Sequence, residues 1–454
     1  MATLWGKKVI PFGTAFAQAR FCDCAFDLVV ACSSSVTEHE PLKEKDIRCL
    51  GHLRRAFELL DKLHDVGCKR DRAGNRRLFF DDYCKLVLLH VWNPLIESIR
   101  DLQQAAALPR VAKALGVGRF SAASFSESVR VFDPEQLRPI LAELAAQLTP
   151  YPKDPRLAEF KRALTLVDGT VIRGLTRLVK SAVGTGGRNS TSRDGSPVYG
   201  WRLHTQLDLA TFTPLRMDRT GARNAQENRE NNVLRRNLEG GRCYVGDCTY
   251  ADRSLFDDVV HAQSSYVIRA AENSVFEGVE ERILSQAALD AGVVRDAIVL
   301  LNGAGTTPTD HPVRRIEIQV EPHPRRTRSG TKHSDLIVLY TDLTDLAAEL
   351  IALIYRYRYT VELFFRIFKQ LLGMRHLLSQ REEGIDIQIL CTLIVCVVIQ
   401  LISGKKPNKA MRNIVGWYLI GLADEQDVID FLNKPDNTGV KKRAKDELWK
   451  KLGC

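Results

Sequence analysis

The sequence predicts a mixed α/β protein, with a helical region first, then a sheet flanked by helices and interrupted by a β-rich stretch. Three observations carry this expectation. Apolar residues recur at three- and four-residue spacing through FDDYCKLVLLHVWNPLIESIRDL, as on one face of a helix. From Lys161 the texture changes to short apolar runs, two of which end in an aspartate, in RALTLVDGT and CYVGDCTYAD. A long amphipathic helical pattern, DLAAELIALIYRYRYTVELFFRIFKQLLG, returns after a further series of β segments.

Six stretches follow in order: a tail at 1–40, a helical region at 41–155, a first α/β part at 156–271, a β-rich insertion at 272–342, a second α/β part at 343–404, and a basic helical tail at 405–454. Pro94, Pro109 and Pro134 punctuate the helical region. Within it, LPRVAKALGVGRFSAASFSESV reads as a helix, a glycine turn at Gly116–Gly118 and a Ser-capped second helix, a pattern like a helix-turn-helix. The α/β part begins with a strand expected to end at Asp168-Gly169. A Gly/Ser-rich loop (GTGGRNSTSRDGSP), a hairpin through YGWRLHTQLDLATFTPLRM and a helix over Ala225–Leu238 come next. A strand ending at Asp247, another helix and the strand YVIRAA complete it. The insertion contributes AIVLLNG, RRIEIQVEPH and SDLIVLYTDL, with the basic loop HPRRTRSGTKH between the last two.

Several function classes are excluded or left without support. A hydrophobic share of 45% and a charged share of 26% describe a globular chain. The net charge of +10 favours a polyanionic partner, nucleic acid being the commonest. The 11 cysteines form no CxxC pair and no framework, there is no HExxH, and Cys22 and Cys24 lie too close for zinc-knuckle spacing, so reduced buried thiols and a cytoplasmic setting are expected. The Gly/Ser loop lacks the GK[ST] ending of a phosphate-binding loop. The amino terminus, broken by Pro11 and Gly13, has no signal-peptide core. The apolar run Ile385–Ile402 carries Asp386, Gln388, Thr392 and Gln400, which suits a buried core helix better than a membrane span.

Chemistry concentrates on the long helical pattern. Tyr355, Arg358, Glu362, Arg366 and Lys369 fall on one stripe, roughly 80° wide at about 100° per residue, opposite Leu353, Tyr357, Phe364, Ile367, Phe368 and Leu371. By itself such a stripe describes a solvated face laced with i,i+4 ion pairs. Preceded by Asp168 and Asp247 at strand ends, it suggests three carboxylates in one site, suited to two divalent cations about 3.5–4 Å apart that serve an in-line phosphoryl displacement. Asp208 is the main rival to Asp168, His204 reads as a packed histidine, and Asp252 as a helix cap.

The spacing Y-x2-R-x3-E-x6-K, met by Tyr355, Arg358, Glu362 and Lys369, resembles the signature of the insertion-sequence-four family of bacterial DDE transposases. The likeness extends through VDGT, YGWRLH, GDxxYADR, YVIR and KQLLGMRHLLSQ. It implies an RNase H-like core in which Asp168, Asp247 and Glu362 are catalytic and hold two Mg2+ ions, with Mn2+ as a substitute. It also implies that Tyr355, Arg358 and Lys369, joined on their stripe by Arg366, contact double-stranded DNA at the transposon ends and target. The expected activity is cleavage and strand transfer at terminal inverted repeats by a homodimer in the nucleoid-associated cytoplasm. A DNA-binding regulator that has lost catalysis, or a metal-dependent nuclease without strand transfer, are the alternatives. Two positions depart from the family: Thr249 replaces the glycine usual before Tyr250, and no tryptophan lies between Trp201 and Trp417, which leaves Phe276 or a neighbour to capture a flipped base.

Overall fold

A computed structural model of the chain describes residues 50–66, 71, 74, 76–173, 200–220, 229–270, 275–301, 308–320, 336–373, 377–379 and 381–433. The amino-terminal tail, the Gly/Ser loop, the basic loop of the insertion, the MRH triplet of KQLLGMRHLLSQ and the end of the basic tail lie outside the described residues.

The helical region consists of α1 (Leu50–Asp61), α2 (Leu63–Val66), α3 (Phe80–Trp92), α4 (Ile99–Ala106), α5 (Pro109–Leu115), α6 (Ala122–Ser128) and α7 (Leu137–Ala145). Local chemistry sets the boundaries of the α5–α6 pair. Pro109 opens α5, Gly116 closes it at φ 69°, a left-handed conformation that glycine adopts without strain, and the Ser121 side chain accepts from Ser124 N–H to start α6. The helix–glycine turn–helix expected here is present as geometry.

Among the described residues the sheet contains nine strands in the order β3-β2-β1-β4-β5-β9-β8-β7-β6. They are β1 (Ala163–Arg173), β2 (Gly200–Asp208), β3 (Thr213–Thr220), β4 (Arg242–Gly246), β5 (Ser265–Ala270), β6 (Glu277–Glu281), β7 (Val293–Leu300), β8 (Val313–Gln319) and β9 (Leu336–Thr341). β1 runs antiparallel to β2 and parallel to β4, and β4 parallel to β5. From β5 outward every pairing is antiparallel. The β-rich stretch is therefore an extension of the same sheet, joined to it by the β5–β9 pair. This continuity was not visible in the sequence, because register between distant segments leaves no local pattern.

One strand end differs from expectation. β1 continues past Asp168 to Arg173, because its antiparallel partner β2 stays paired through Arg173↔Gly200. What stops beside Asp168 is the parallel partner: the last β1–β4 pair is Leu166↔Val245, and β4 ends at Gly246. The expected Ala225–Leu238 helix is described only as α8 (Glu230–Arg235). α9 (Arg253–His261) and α10 (Gln286–Asp290) follow β4 and β6.

The long helical pattern also breaks. It forms α11 (Ala348–Arg356) and α12 (Tyr359–Leu372), separated by a turn at Tyr357–Arg358 where Thr360 N–H donates to the Tyr357 carbonyl at 2.8 Å. Tyr357 is tied there by its hydroxyl, which donates to Asp154 at 2.9 Å. The single stripe thus becomes two faces, with Tyr355 on α11 and Glu362, Arg366 and Lys369 on α12.

α13 (Glu382–Ser403) is the central pillar, packed against α1, α3, α7, α12 and β3, and it leads to α14 (Lys409–Ile420) and α15 (Glu425–Asn433). Its length and hydropathy match a membrane span, but 89% of the apolar window is buried within the protein. Each polar side chain that looked foreign to a lipid-facing helix has a partner. Gln388 bonds the Leu378 N–H and the Leu372 carbonyl, Gln400 bonds Tyr151 and Thr213, Thr392 donates to the Gln388 carbonyl, and Asp386 pairs with Arg219. Hydrogen-bonded polar groups of this kind belong to a protein interior.

Candidate active site

Asp168 and Asp247 stand side by side. Two residues beyond the Leu166↔Val245 pair, the same register brings them opposite each other at the carboxyl end of the parallel strands. Asp247 follows β4 directly and opens a 3-10 turn, its Oδ1 accepting from Thr249 N–H at 2.9 Å. Only the backbone of residue 249 is used, so threonine serves there as glycine would. The Asp168 carboxyl is pushed up to about 7. Burial is the main cause; Arg358 opposes it, while Asp247 and Glu230 add to the rise.

α12 packs against β1, and this brings the third acid close. Glu362, in its first turn, is hydrogen-bonded by Arg358, whose Nη1 lies 3.6 Å from Asp168 Oδ2. Arg358 therefore bridges Asp168 and Glu362. Seven residues on from Glu362, Lys369 Nζ donates to Thr170 Oγ1 at 2.5 Å, so β1 is held at Asp168 by Arg358 and two residues beyond it by Lys369. Tyr355 is half-buried at the end of α11; burial raises its phenol, and it senses the charges of Arg358, Arg269 and Asp247. Arg366 is exposed, with Nη2 3.4 Å from the Tyr359 hydroxyl.

Hard oxygen donors and a carboxyl raised by burial beside a second carboxylate suit a divalent cation, which would relieve the repulsion. As the side chains stand, no group of three His, Cys, Asp or Glu residues among the described residues is close enough to hold one ion. The guanidinium of Arg358 lies between two of the acids instead. The donors fit a metal in kind, and Arg358 would have to change partners for Glu362 to join them.

The rival residues do other work. Asp208 accepts from the N–H and hydroxyl of Thr211, closing the β2–β3 turn. His204 is buried with Nε2 2.7 Å from Thr220 Oγ1, and burial pushes its pKa down to about 4. Asp252 caps α9 by accepting from Leu255 N–H at 3.0 Å. Phe276 has the guanidinium of Arg315 4.7 Å from its ring centre and that of Arg295 at 5.8 Å, both within cation–π reach.

Residues 159–398, more than half of the chain, match the family described as the transposase DDE domain. The chain belongs to the DDE-domain transposase family. The match covers the whole sheet, α8 to α12 and most of α13. The "Putative transposase y4zB" of Sinorhizobium fredii (strain NBRC 101917 / NGR234) is 24% identical over 231 residues, which are 50% of this chain and 61% of that protein. A solved structure titled "Cryo-EM structure of piggyBac transposase synaptic complex with hairpin DNA (SNHP)" aligns with 87% of this chain and 84% of its own at 13% identity and a TM-score of 0.41.

The DDE domain also gathers residues that sequence reasoning passed over. Glu230, at the start of α8, is buried against Gly169 and paired with Arg202 of β2. Tyr250, fully buried, and Arg269, at the end of β5, lie close by. The signals available were the glycines of VDGT and GDCTY, each beside an acid, which mark places where something approaches the backbone closely.

Proposed function

We propose that this member of the DDE-domain family is a DNA transposase that binds the terminal inverted repeats of an insertion sequence and carries out metal-dependent strand cleavage and strand transfer. The observation that carries the reading is the meeting of Asp168 and Asp247 at the end of the parallel strands, with Glu362 linked to Asp168 through Arg358. The strand order β3-β2-β1-β4-β5, with β2 antiparallel and β4 parallel to β1, supports an RNase H-like core. The Y-x2-R-x3-E-x6-K spacing supports the insertion-sequence-four subfamily.

In this reading Asp168, Asp247 and Glu362 would hold two Mg2+ or Mn2+ ions, which supply charge neutralisation at the attacking and leaving oxygens of the phosphoryl transfer. The chain's own side chains do the remaining work. Arg358, freed from the acids, would donate to a phosphate beside the scissile bond, with both nitrogens available for a bidentate contact. Lys369 and Arg366 continue the cationic row along α12, and Tyr355 offers a hydroxyl and a ring face at its amino-terminal end. These contacts position the DNA backbone and carry no sequence information. Sequence reading falls to the helical region, where α5 and α6 form the helix–turn–helix-like pair. Two ends must be cut and joined, so the working species is a homodimer that pairs them.

The test compares wild type with Asp168→Ala, Asp247→Ala and Glu362→Ala on end-repeat DNA, by gel shift and by nicking. All three should bind and fail to nick, because the acids act on the transition state whereas affinity comes mainly from phosphate contacts. Nicking by any of them at the wild-type rate would remove that residue from the site.

A further inference from the structure

The geometry points to Glu230 as a positioning residue that sets the separation of Asp168 and Asp247 through the two glycines beside them.

The carboxylate of Glu230 is 7% exposed and touches three elements at once. One oxygen takes the guanidinium of Arg202 on β2. The carboxyl group also hydrogen-bonds the hydroxyl of Tyr250, in the turn that follows Asp247. Its body lies over Gly169, the residue after Asp168: a Cβ built there would stand 2.6–3.0 Å from the Glu230 carboxyl atoms. A methyl group at 169 would therefore have to displace the carboxylate from this position.

The same arrangement recurs on the neighbouring strand in reverse order. Gly246 precedes Asp247, and a Cβ there would meet the Tyr250 ring at 2.9 Å, with Ile268 and Val167 at 3.0 Å. Glu230 presses on the strand of one acid, Tyr250 presses on the strand of the other, and the hydrogen bond between them ties the two together. Burial pushes the Glu230 carboxyl up, Arg202 holds it down, and Asp247 adds to the rise, so the group sits within the electrostatic reach of the acid pair. A charged group held in such a place by an arginine and a tyrosine fixes the geometry of what it touches, as hydrogen-bonded partners do around metal-binding carboxylates.

The inference rests on the reading of Asp168 and Asp247 as metal-holding acids. Its test therefore measures Mn2+ binding to the DNA-free, full-length protein by electron paramagnetic resonance, together with the Mn2+ dependence of nicking and the Tm. Loss of a supporting contact of this type lowers metal affinity by about 10–100-fold. Glu230→Ala should weaken Mn2+ binding about tenfold or more, Glu230→Gln should keep most of it by filling the same space, and Tyr250→Phe should fall between. Gly169→Ala provides a second route to the same displacement without removing the charge. It should reproduce the loss, and the Gly169→Ala/Glu230→Ala pair should be no worse than Glu230→Ala alone, since the added methyl then has room. A Glu230→Ala protein that binds Mn2+ like wild type, whether or not its Tm falls, overturns the inference. Asp168→Ala in the same series separates the two claims: if it binds Mn2+ and nicks normally the site reading itself fails, and if it is dead while Glu230→Ala is normal only the inference does.

Discussion

Asp168→Asn should stabilise the protein when no divalent cation is present. The carboxyl of Asp168 ionises at about 7 in the folded chain and near 3.8 when unfolded, chiefly because its side chain is only 16% exposed. Between these values the folded state binds more protons than the unfolded state, so stability falls as pH rises from about 4 to about 7 and stays low above that. A gap of about three units at 1.36 kcal/mol each sets an upper bound of about 4 kcal/mol. That gap already contains the opposing pull of Arg358, 3.6 Å away, so the amide forfeits nothing further there. A gain of about 2 kcal/mol at pH 8, half the bound to allow for solvent screening, or about 2 °C in Tm for a chain of 454 residues, is expected. Thermal unfolding in EDTA at pH 4.5 and pH 8 reads it directly: the two proteins should nearly coincide at the lower pH and separate at the higher. Added Mn2+ at pH 8 should raise wild type and leave the variant where it was. A wild type more stable than the variant at pH 8 in EDTA, or a difference that ignores pH, would refute the account of a buried carboxylate made costly by its surroundings.

Three further outcomes follow from the same geometry. The fully buried Arg314 is paired with Asp296 at 2.7 Å and donates to the carbonyls of Leu343, Thr344 and Leu346 ahead of α11, so Asp296→Ala should cost about 3–5 kcal/mol in urea unfolding, and a loss under about 1 would contradict the burial. Gly246→Ala should destabilise by about 1–3 kcal/mol, because its methyl would meet Tyr250, Ile268 and Val167 at 2.9–3.0 Å; an unchanged Tm would show that the strand can shift to admit it. Lys369→Ala should lower the slope of log affinity against log salt by about one unit on end-repeat DNA, and an identical slope would return Lys369 to a role confined to Thr170.

Much of the fold was legible because its signals are local. Ser121, Asp252 and Gly116 sit where capping and left-handed turn chemistry require them, and the polar residues of Ile385–Ile402 marked a core helix. Asp168 and Asp247 could be singled out because each ends an apolar run, although β1 itself runs on to Arg173 through pairing with β2. What depended on distant partners was not legible. The break at Tyr357–Arg358 follows a helical repeat that continues without interruption in sequence, and Tyr357 is held there by Asp154, 203 residues earlier. Glu230 lies in a polar stretch read only as a helix, with no motif to single it out, and the approach of its carboxylate to Gly169 reveals it. Arg358 on the helix stripe suggested a phosphate contact; its position between two acids depends on α12 crossing β1.

The join between β5 and β9 has a consequence for anyone who would trim or transplant this protein. An insertion that folded on its own could be excised as a cassette, but removing 272–342 here would strip β5 of its neighbour and expose a row of unpaired backbone groups to other chains. The intact chain ends that side of the sheet on β6 instead, a five-residue strand, EGVEE, with three glutamates and an irregular register against β7. Short, acidic and kinked edges discourage strand addition. The insertion thus carries the protective selvedge of this side of the sheet, and shortened versions should aggregate before they lose any residue of the acid cluster.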